Sequence, residues 1–299
     1  MPGCQRRCVS PPVLILVLIA AVLHATWNAV AKHARPASTT AFVWLCCTVT
    51  TALFLPVVAI LVLIAPPPGS RIDGPILAFT LGSAVLQALY FVLLQRGYRA
   101  GDLSLVYPLA RGTGPLLASL TAVVFLGERP GPLGIAGIAA ITGGIFVATG
   151  VSLHGPRTRA SLGYGLATGA TIAAYTIWDK HVVTALAFSP IVYEVARAVA
   201  QTAIMTPFVA TGSARAALGQ TWRTCRLQIV TVAVLSPVAY VLVLFALARA
   251  PVTVVAPARE ISIVLGAFLG TRLFGEGHAR RRIAAAVLMV AGIVALARA

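Results

Sequence analysis

The chain has 299 residues, 59% of them apolar and 10% charged, with a mean hydropathy of +0.93 and a formal net charge of +16. Water-soluble domains are roughly 45–50% apolar and about 25% charged, so this chain has too few polar side chains to cover a soluble surface. The balance excludes an ordinary cytosolic enzyme and a disordered tail; the cations punctuate apolar runs instead of forming one basic patch, which excludes a nucleic-acid-binding domain.

A helix needs about 20 apolar residues to cross the ~30 Å hydrocarbon core. Ten such runs follow in chain order: residues 12–31, 38–64, 74–95, 103–126, 132–151, 161–182, 189–211, 227–248, 252–274 and 281–298. They are continuously apolar, without the period-2 alternation of barrel strands. In the first run, Arg6 and Arg7 precede Val13–Leu23 in the manner of a secretory signal. That run has a mate later in the chain, so it reads as a retained helix. It ends on Trp27-Asn28, the third run carries Tyr90, and the fourth holds Arg111 and leads to Gly127-Glu128. Further on come Trp178-Asp179, then Glu194 and Arg197, Tyr240, Arg259-Glu260 and Gly275-Glu276.

These landmarks repeat. Trp27 recurs as Trp178 and Pro56 as Pro207, both 151 residues on, and Tyr90 recurs as Tyr240 at 150. Pro108 matches Pro257 at 149, while Arg111 matches Arg259, Glu128 matches Glu276 and Gly144-Ile145 matches Gly292-Ile293, all at 148. A slow, monotonic drift in offset is what two diverged copies with small loop deletions produce. The copies span residues 12–151 and 161–298. An odd number of helices per copy makes the second copy start on the opposite side of the membrane. The predicted fold is therefore all-α and integral to the membrane, with ten transmembrane helices as two inverted five-helix repeats, the usual frame of alternating-access carriers. Lys and Arg are more numerous in the loops away from the termini, which by the positive-inside rule places both termini outside.

No G-x-x-x-x-G-K-[ST], H-E-x-x-H or G-x-S-x-G motif occurs, and the cysteines and histidines are dispersed. The reading therefore contains no catalytic residue, no metal and no cofactor. Ionisable residues inside spans cost roughly 2.5–3.5 kcal/mol each on insertion scales and are the first candidates for function. Arg111 and Arg259, as repeat mates, either hold the carboxylate or phosphate of a substrate or fasten helix ends. Glu260 lies about 100° around the helix from Arg259, so it is expected to find a different partner and is a candidate proton carrier. Glu194 and Arg197, at i and i+3, form a structural pair. Trp27-Asn28, Trp178-Asp179, Tyr90 and Tyr240 have two readings, an interfacial aromatic belt or the wall of a substrate cavity.

The blocks Val106-Tyr107-Pro108-Leu109, Phe125-Leu126-Gly127-Glu128-Arg129, Ala258-Arg259-Glu260 and Leu273-Phe274-Gly275-Glu276, with the opening His24-Ala25-Thr26-Trp27-Asn28-Ala29, resemble the two repeats of EamA-type transporters. These belong to the drug/metabolite transporter superfamily. The resemblance covers nearly the whole chain. It implies a ten-helix carrier, not an enzyme, that exports small metabolites, amino acids or toxic compounds. The two Gly-Glu pairs then mark helix ends at the membrane surface, with Glu128 and Glu276 in structural roles.

Together these features predict a multi-pass protein of the cytoplasmic membrane. Its function would be secondary active export of a small organic solute, such as an amino acid or organic acid, with the proton as coupling ion through Glu260. The alternatives are a lipid or polyprenyl-phosphate flippase subunit of the same fold, and an intramembrane enzyme on a lipid phosphate. The second lacks a nucleophile or acidic metal cluster among seven scattered acids.

Overall fold

The computed structural model describes residues 10–32, 34–100, 103–149, 158–262 and 279–299. Among them every regular element is a helix: α1 (Pro11–Lys32), α2 (Thr39–Ile64), α3 (Gly74–Ala100), α4 (Leu103–Phe125), α5 (Pro132–Thr149), α6 (Thr158–Thr184), α7 (Pro190–Ala210), α8 (Gly212–Ala216), α9 (Leu218–Arg249), α10 (Val252–Arg259) and α11 (Ala279–Arg298). Among the described residues, four stretches are long and apolar enough to cross a bilayer unaided: Pro11–Ala31, Thr39–Ile64, Gly74–Leu94 and Leu218–Arg249. The second half of the run at 252–274, with Glu276 and the Leu273–Glu276 block, lies outside the described residues.

Large apolar residues cover the outside of the helices as well as filling the core. Ala20, Ala41, Ala84, Ala118 and Ala122 are fully buried, while Leu63, Ile64 and Phe125 are 83%, 80% and 78% exposed. Small residues let helix backbones approach, and large apolar ones meet lipid. The chain is a multi-pass membrane protein. Helix ends follow local chemistry: Ser38 Oγ accepts from Ala41 N at 3.3 Å, Asp73 Oδ1 accepts from Ile76 N at 2.9 Å, and three prolines follow α2 at Pro66–Pro68. Buried threonines, such as Thr80 and Thr176, turn their hydroxyls onto the carbonyl four residues back, at 2.8 and 2.7 Å. Apolarity places the eighth span at 227–248, whereas α9 begins at Leu218 and breaks at Cys225 (φ −124°, ψ 16°). Its polar first turns, with Gln220, Arg223 and Arg226, carry no apolar signal.

Packing maps onto itself when the two sequence copies are exchanged. α1 lies against α9 as α6 lies against α3, and α2 against α9 as α7 against α3. Helices also pack on their own mates, α2 on α7, α5 on α11 and, at the centre, α4 on α10. At the first, Thr51 Oγ1 and Thr202 Oγ1, 151 residues apart, hydrogen-bond at 3.3 Å. At the second, a Cβ on Gly144 would sit 2.5 Å from Met289 Cγ and 3.1 Å from the Ala285 carbonyl. Its mate Gly292 would meet Ile141 Cγ1 at 2.7 Å and the Gly137 carbonyl at 2.8 Å. Ile141 and Met289, like Gly137 and Ala285, are themselves 148 residues apart. A pseudo-two-fold axis runs through these contacts, and glycine is required where α5 and α11 cross.

Gly292→Leu forces a side chain into backbone at this crossing and is expected to destabilise the protein by about 1–3 kcal/mol. Thermal unfolding of the purified protein in detergent checks this, with Gly163→Leu as control, since nothing lies within 4 Å of a Cβ at that position.

Candidate functional site

Asp179 sits near the end of α6, fully buried. Its neighbour Trp178 fixes the helix there: the indole Nε1 donates to the Phe79 carbonyl at 2.8 Å, and the ring fills the space over Gly82, whose Cβ would lie 2.5 Å from it. This seats α6 on α3 and brings Ser83 to Asp179. Ser83 Oγ donates to Asp179 Oδ1 at 2.7 Å, and the Tyr193 hydroxyl donates to the same oxygen at 2.6 Å. The Tyr240 hydroxyl donates to Oδ2. One carboxyl thus gathers three hydroxyls from α3, α7 and α9.

On α7, Glu194, Arg197 and Gln201 line one face at i, i+3 and i+7. Arg197 donates to both Glu194 oxygens, Nη2 to Oε1 at 2.5 Å and Nε to Oε2 at 2.9 Å, and its Nη1 reaches Gln201 Oε1 at 2.6 Å. All three residues are buried. The Arg197 guanidinium also lies 5.8 Å from the centre of the Tyr240 ring. An unpaired charge here would face a low dielectric; the bidentate pair avoids that.

The arginines of the two repeats meet at Glu260. Arg111 Nη2, from α4, lies 2.9 Å from Glu260 Oε2, and Arg259 Nε lies 3.3 Å from Oε1. Arg111 Nη2 also reaches Ser262 Oγ at 3.4 Å. Helical geometry predicts that neighbours Arg259 and Glu260 splay apart. They instead touch, because α10 ends at Arg259 and Glu260 occupies a turn (φ −74°, ψ −4°). Two guanidinium groups therefore share one carboxylate, and Arg259 Nη2 is buried without a hydrogen-bond acceptor among the described residues.

Tyrosines connect the two clusters. Tyr90, Tyr175 and Tyr240 follow one another edge to face, with centroids 6.1 and 6.3 Å apart. Arg259 lies within electrostatic reach of Tyr175 and Tyr240. His24, whose Nδ1 contacts the Ala20 carbonyl at 2.8 Å, lies within reach of Arg259 and Arg111, and 5.9 Å from the Trp27 ring. Trp27 Nε1 is buried with no acceptor among the described residues. Asn28 bonds within its own helix, its Nδ2 donating to the His24 carbonyl at 2.7 Å.

Glu128 lies apart from the centre, accepting from the backbone N–H of Val252 at 2.7 Å and Thr253 at 2.9 Å. A carboxylate on these free donors favours the start of α10. Nearby, Lys180 Nζ donates to the Leu247 and Ala250 carbonyls at 2.5 and 2.9 Å, closing the end of α9. Among the described residues, no group of three His, Cys, Asp or Glu could hold a metal ion.

Sequence reasoning missed Ser83, Tyr175, Tyr193, Gln201 and His24. For Gln201 a signal existed, the polar stripe with Glu194 and Arg197 in an apolar run. Ser83 and Tyr175 carried none, because only the fold brings them to the centre.

Arg197→Ala leaves Glu194 as an unpaired buried charge and is expected to cost about 3–5 kcal/mol. The double replacement Glu194→Leu, Arg197→Met should recover most of this, as thermal unfolding of both variants would show.

The chain belongs to the EamA-like transporter family, whose profile matches residues 11–150 and 160–298. Solved structures are similar to the chain, among them a crystal structure with a TM-score of 0.75 over 95% of each chain at 16% identity. Identity that low shows a shared fold alone. No curated protein matches the sequence.

Proposed function

We propose that this member of the EamA-like transporter family is a secondary active exporter of a small carboxylate, such as an organic acid or amino acid. It would work by alternating access in the cytoplasmic membrane. In this reading the chain crosses the bilayer ten times, as two inverted five-helix repeats that exchange conformations about the axis between α2 and α7 and between α5 and α11.

The observation that carries the substrate class is the sharing of Glu260 by Arg111 and Arg259. One carboxylate cannot neutralise two guanidiniums, and the buried Nη2 of Arg259 lacks an acceptor among the described residues. An anionic oxygen from a substrate supplies both the charge and the acceptor, in the charge-assisted geometry that arginine favours. Trp27, with its own unmatched N–H, and Tyr90 and Tyr240 give that substrate aromatic walls. Because the arginines come one from each repeat, movement between the repeats changes their grip on the anion. A proton is the proposed coupling ion, with two buried carboxyls, Glu260 and Asp179, available to carry it.

Arg259→Ala and Arg111→Ala are each expected to lower carboxylate flux in proteoliposomes by at least roughly tenfold, as the loss of one charged hydrogen bond of ~1.5–3 kcal/mol implies. Unchanged anion flux in both variants would contradict the assignment.

A further inference from the structure

The buried carboxyls of the centre differ in their partners, and that difference separates their roles. Glu260 has guanidiniums at 2.9 and 3.3 Å, and Glu194 is held at both oxygens by Arg197. Asp179 has no cation in hydrogen-bonding contact among the described residues; its partners are the hydroxyls of Ser83, Tyr193 and Tyr240. A guanidinium can only donate, so it holds a carboxylate ionised. A hydroxyl donates to a carboxylate and equally accepts from a carboxylic acid. The cage around Asp179 therefore accommodates either protonation state.

The charged and titratable groups around it can be enumerated by element. On its own helix stand Tyr175, Lys180, whose ammonium is taken up by the carbonyls of Leu247 and Ala250, and His181. α3 presents Tyr90, α7 presents Tyr193, Glu194 and Arg197, and α9 presents Tyr240. From α4 and the end of α10 come Arg111, Arg259 and Glu260, and α1 sets His24 within reach of both arginines. Among the described residues, three guanidiniums (Arg111, Arg197 and Arg259) and three carboxyls (Asp179, Glu194 and Glu260) thus lie in the low-dielectric centre. With Asp179 ionised the set as a whole is neutral, and an anion on Arg111 and Arg259 would leave it one charge negative. With Asp179 protonated it carries one excess positive charge, which one monoanion cancels.

We infer that Asp179 is the proton carrier and that the cargo is a net monoanion moved together with one proton, without net charge transfer, so that export is driven by the cargo's own outward gradient. This rests on the carboxylate-transport reading above and narrows it, since a zwitterion would leave the excess charge uncancelled. Either side of the cycle keeps the centre neutral: empty with Asp179 ionised, or loaded with Asp179 protonated. The mixed states leave a bare charge buried, which is costly.

Tyr240 is the link. When Asp179 takes a proton from water in the open cavity, its new O–H donates to the Tyr240 phenolic oxygen. The Tyr240 hydrogen, released from the carboxylate, turns to the anion held by Arg111 and Arg259. On the far side the anion leaves, Asp179 returns its proton to water, and the three hydroxyls donate to the carboxylate again.

The test uses the full-length protein purified in detergent and four monoanions: formate, lactate, pyruvate and benzoate. Proton uptake on binding is followed with a pH indicator in weak buffer, and affinity is followed by calorimetry from about pH 6 to pH 8. The wild type is expected to take up about one proton per anion bound, its affinity weakening up to ~tenfold per pH unit where Asp179 titrates. Asp179→Asn mimics the protonated acid and should bind with no proton uptake and a flat pH dependence. Should that variant fail to fold, the proton count on the wild type decides alone. Anion binding without proton uptake, or proton uptake persisting in Asp179→Asn, would overturn the coupling assignment while leaving the carboxylate reading standing. Binding of none of the four would overturn the carboxylate reading itself.

Discussion

Charge neutrality inside a bilayer is the constraint on which this structure depends. A lone charge in hydrocarbon costs several kcal/mol, so intramembrane ions gather where they can be paired. Here Arg111, Arg197 and Arg259 gather with Asp179, Glu194 and Glu260, on helices drawn from both halves of the chain. The pairing is uneven. Arg197 and Glu194 satisfy each other and tie down α7, whereas Arg111 and Arg259 divide one carboxylate. A fixed ion pair suits a scaffold; a shared and incomplete one suits a site that must bind and release.

The exchange symmetry explains why the incompleteness falls at the centre. Contacts on the pseudo-two-fold axis join residues to their mates, as Thr51 meets Thr202 and as the glycines of α5 and α11 cross. Arg111 and Arg259 are mates as well, and they converge on one group. Only the second copy carries the acid, since Glu260 corresponds to Gly112, which instead packs under Phe146. Two symmetric cations with one asymmetric anion give a charge that neither half can neutralise alone. Asp179 is asymmetric in the same way, its mate being Asn28, which bonds within its own helix. Both asymmetries put the titratable chemistry in the second repeat.

Much of this was legible in the sequence. The composition forced a membrane protein, and the offsets of Trp27, Pro56, Arg111 and Gly144 disclosed the repeat before any coordinates. Glu194 and Arg197 could be paired from their spacing, because helical geometry within one element is local. What lay beyond reach depends on contacts between helices. Arg259 and Glu260 touch because α10 ends between them, and no local pattern announces that end. Asp179 read as half of an interfacial Trp-Asp pair. Its three hydroxyl partners come from three helices, at separations of 96, 14 and 61 residues.

The central claim is that the buried charges balance only when proton and monoanion move together. It is tested most directly by the voltage dependence of transport. The purified protein is reconstituted in proteoliposomes, an anion it binds is driven by a pH gradient, and valinomycin with potassium sets the membrane potential. The account predicts the same initial rate at potentials of either sign. A rate that rises at one sign and falls at the other would show net charge crossing with each cycle, and would contradict it.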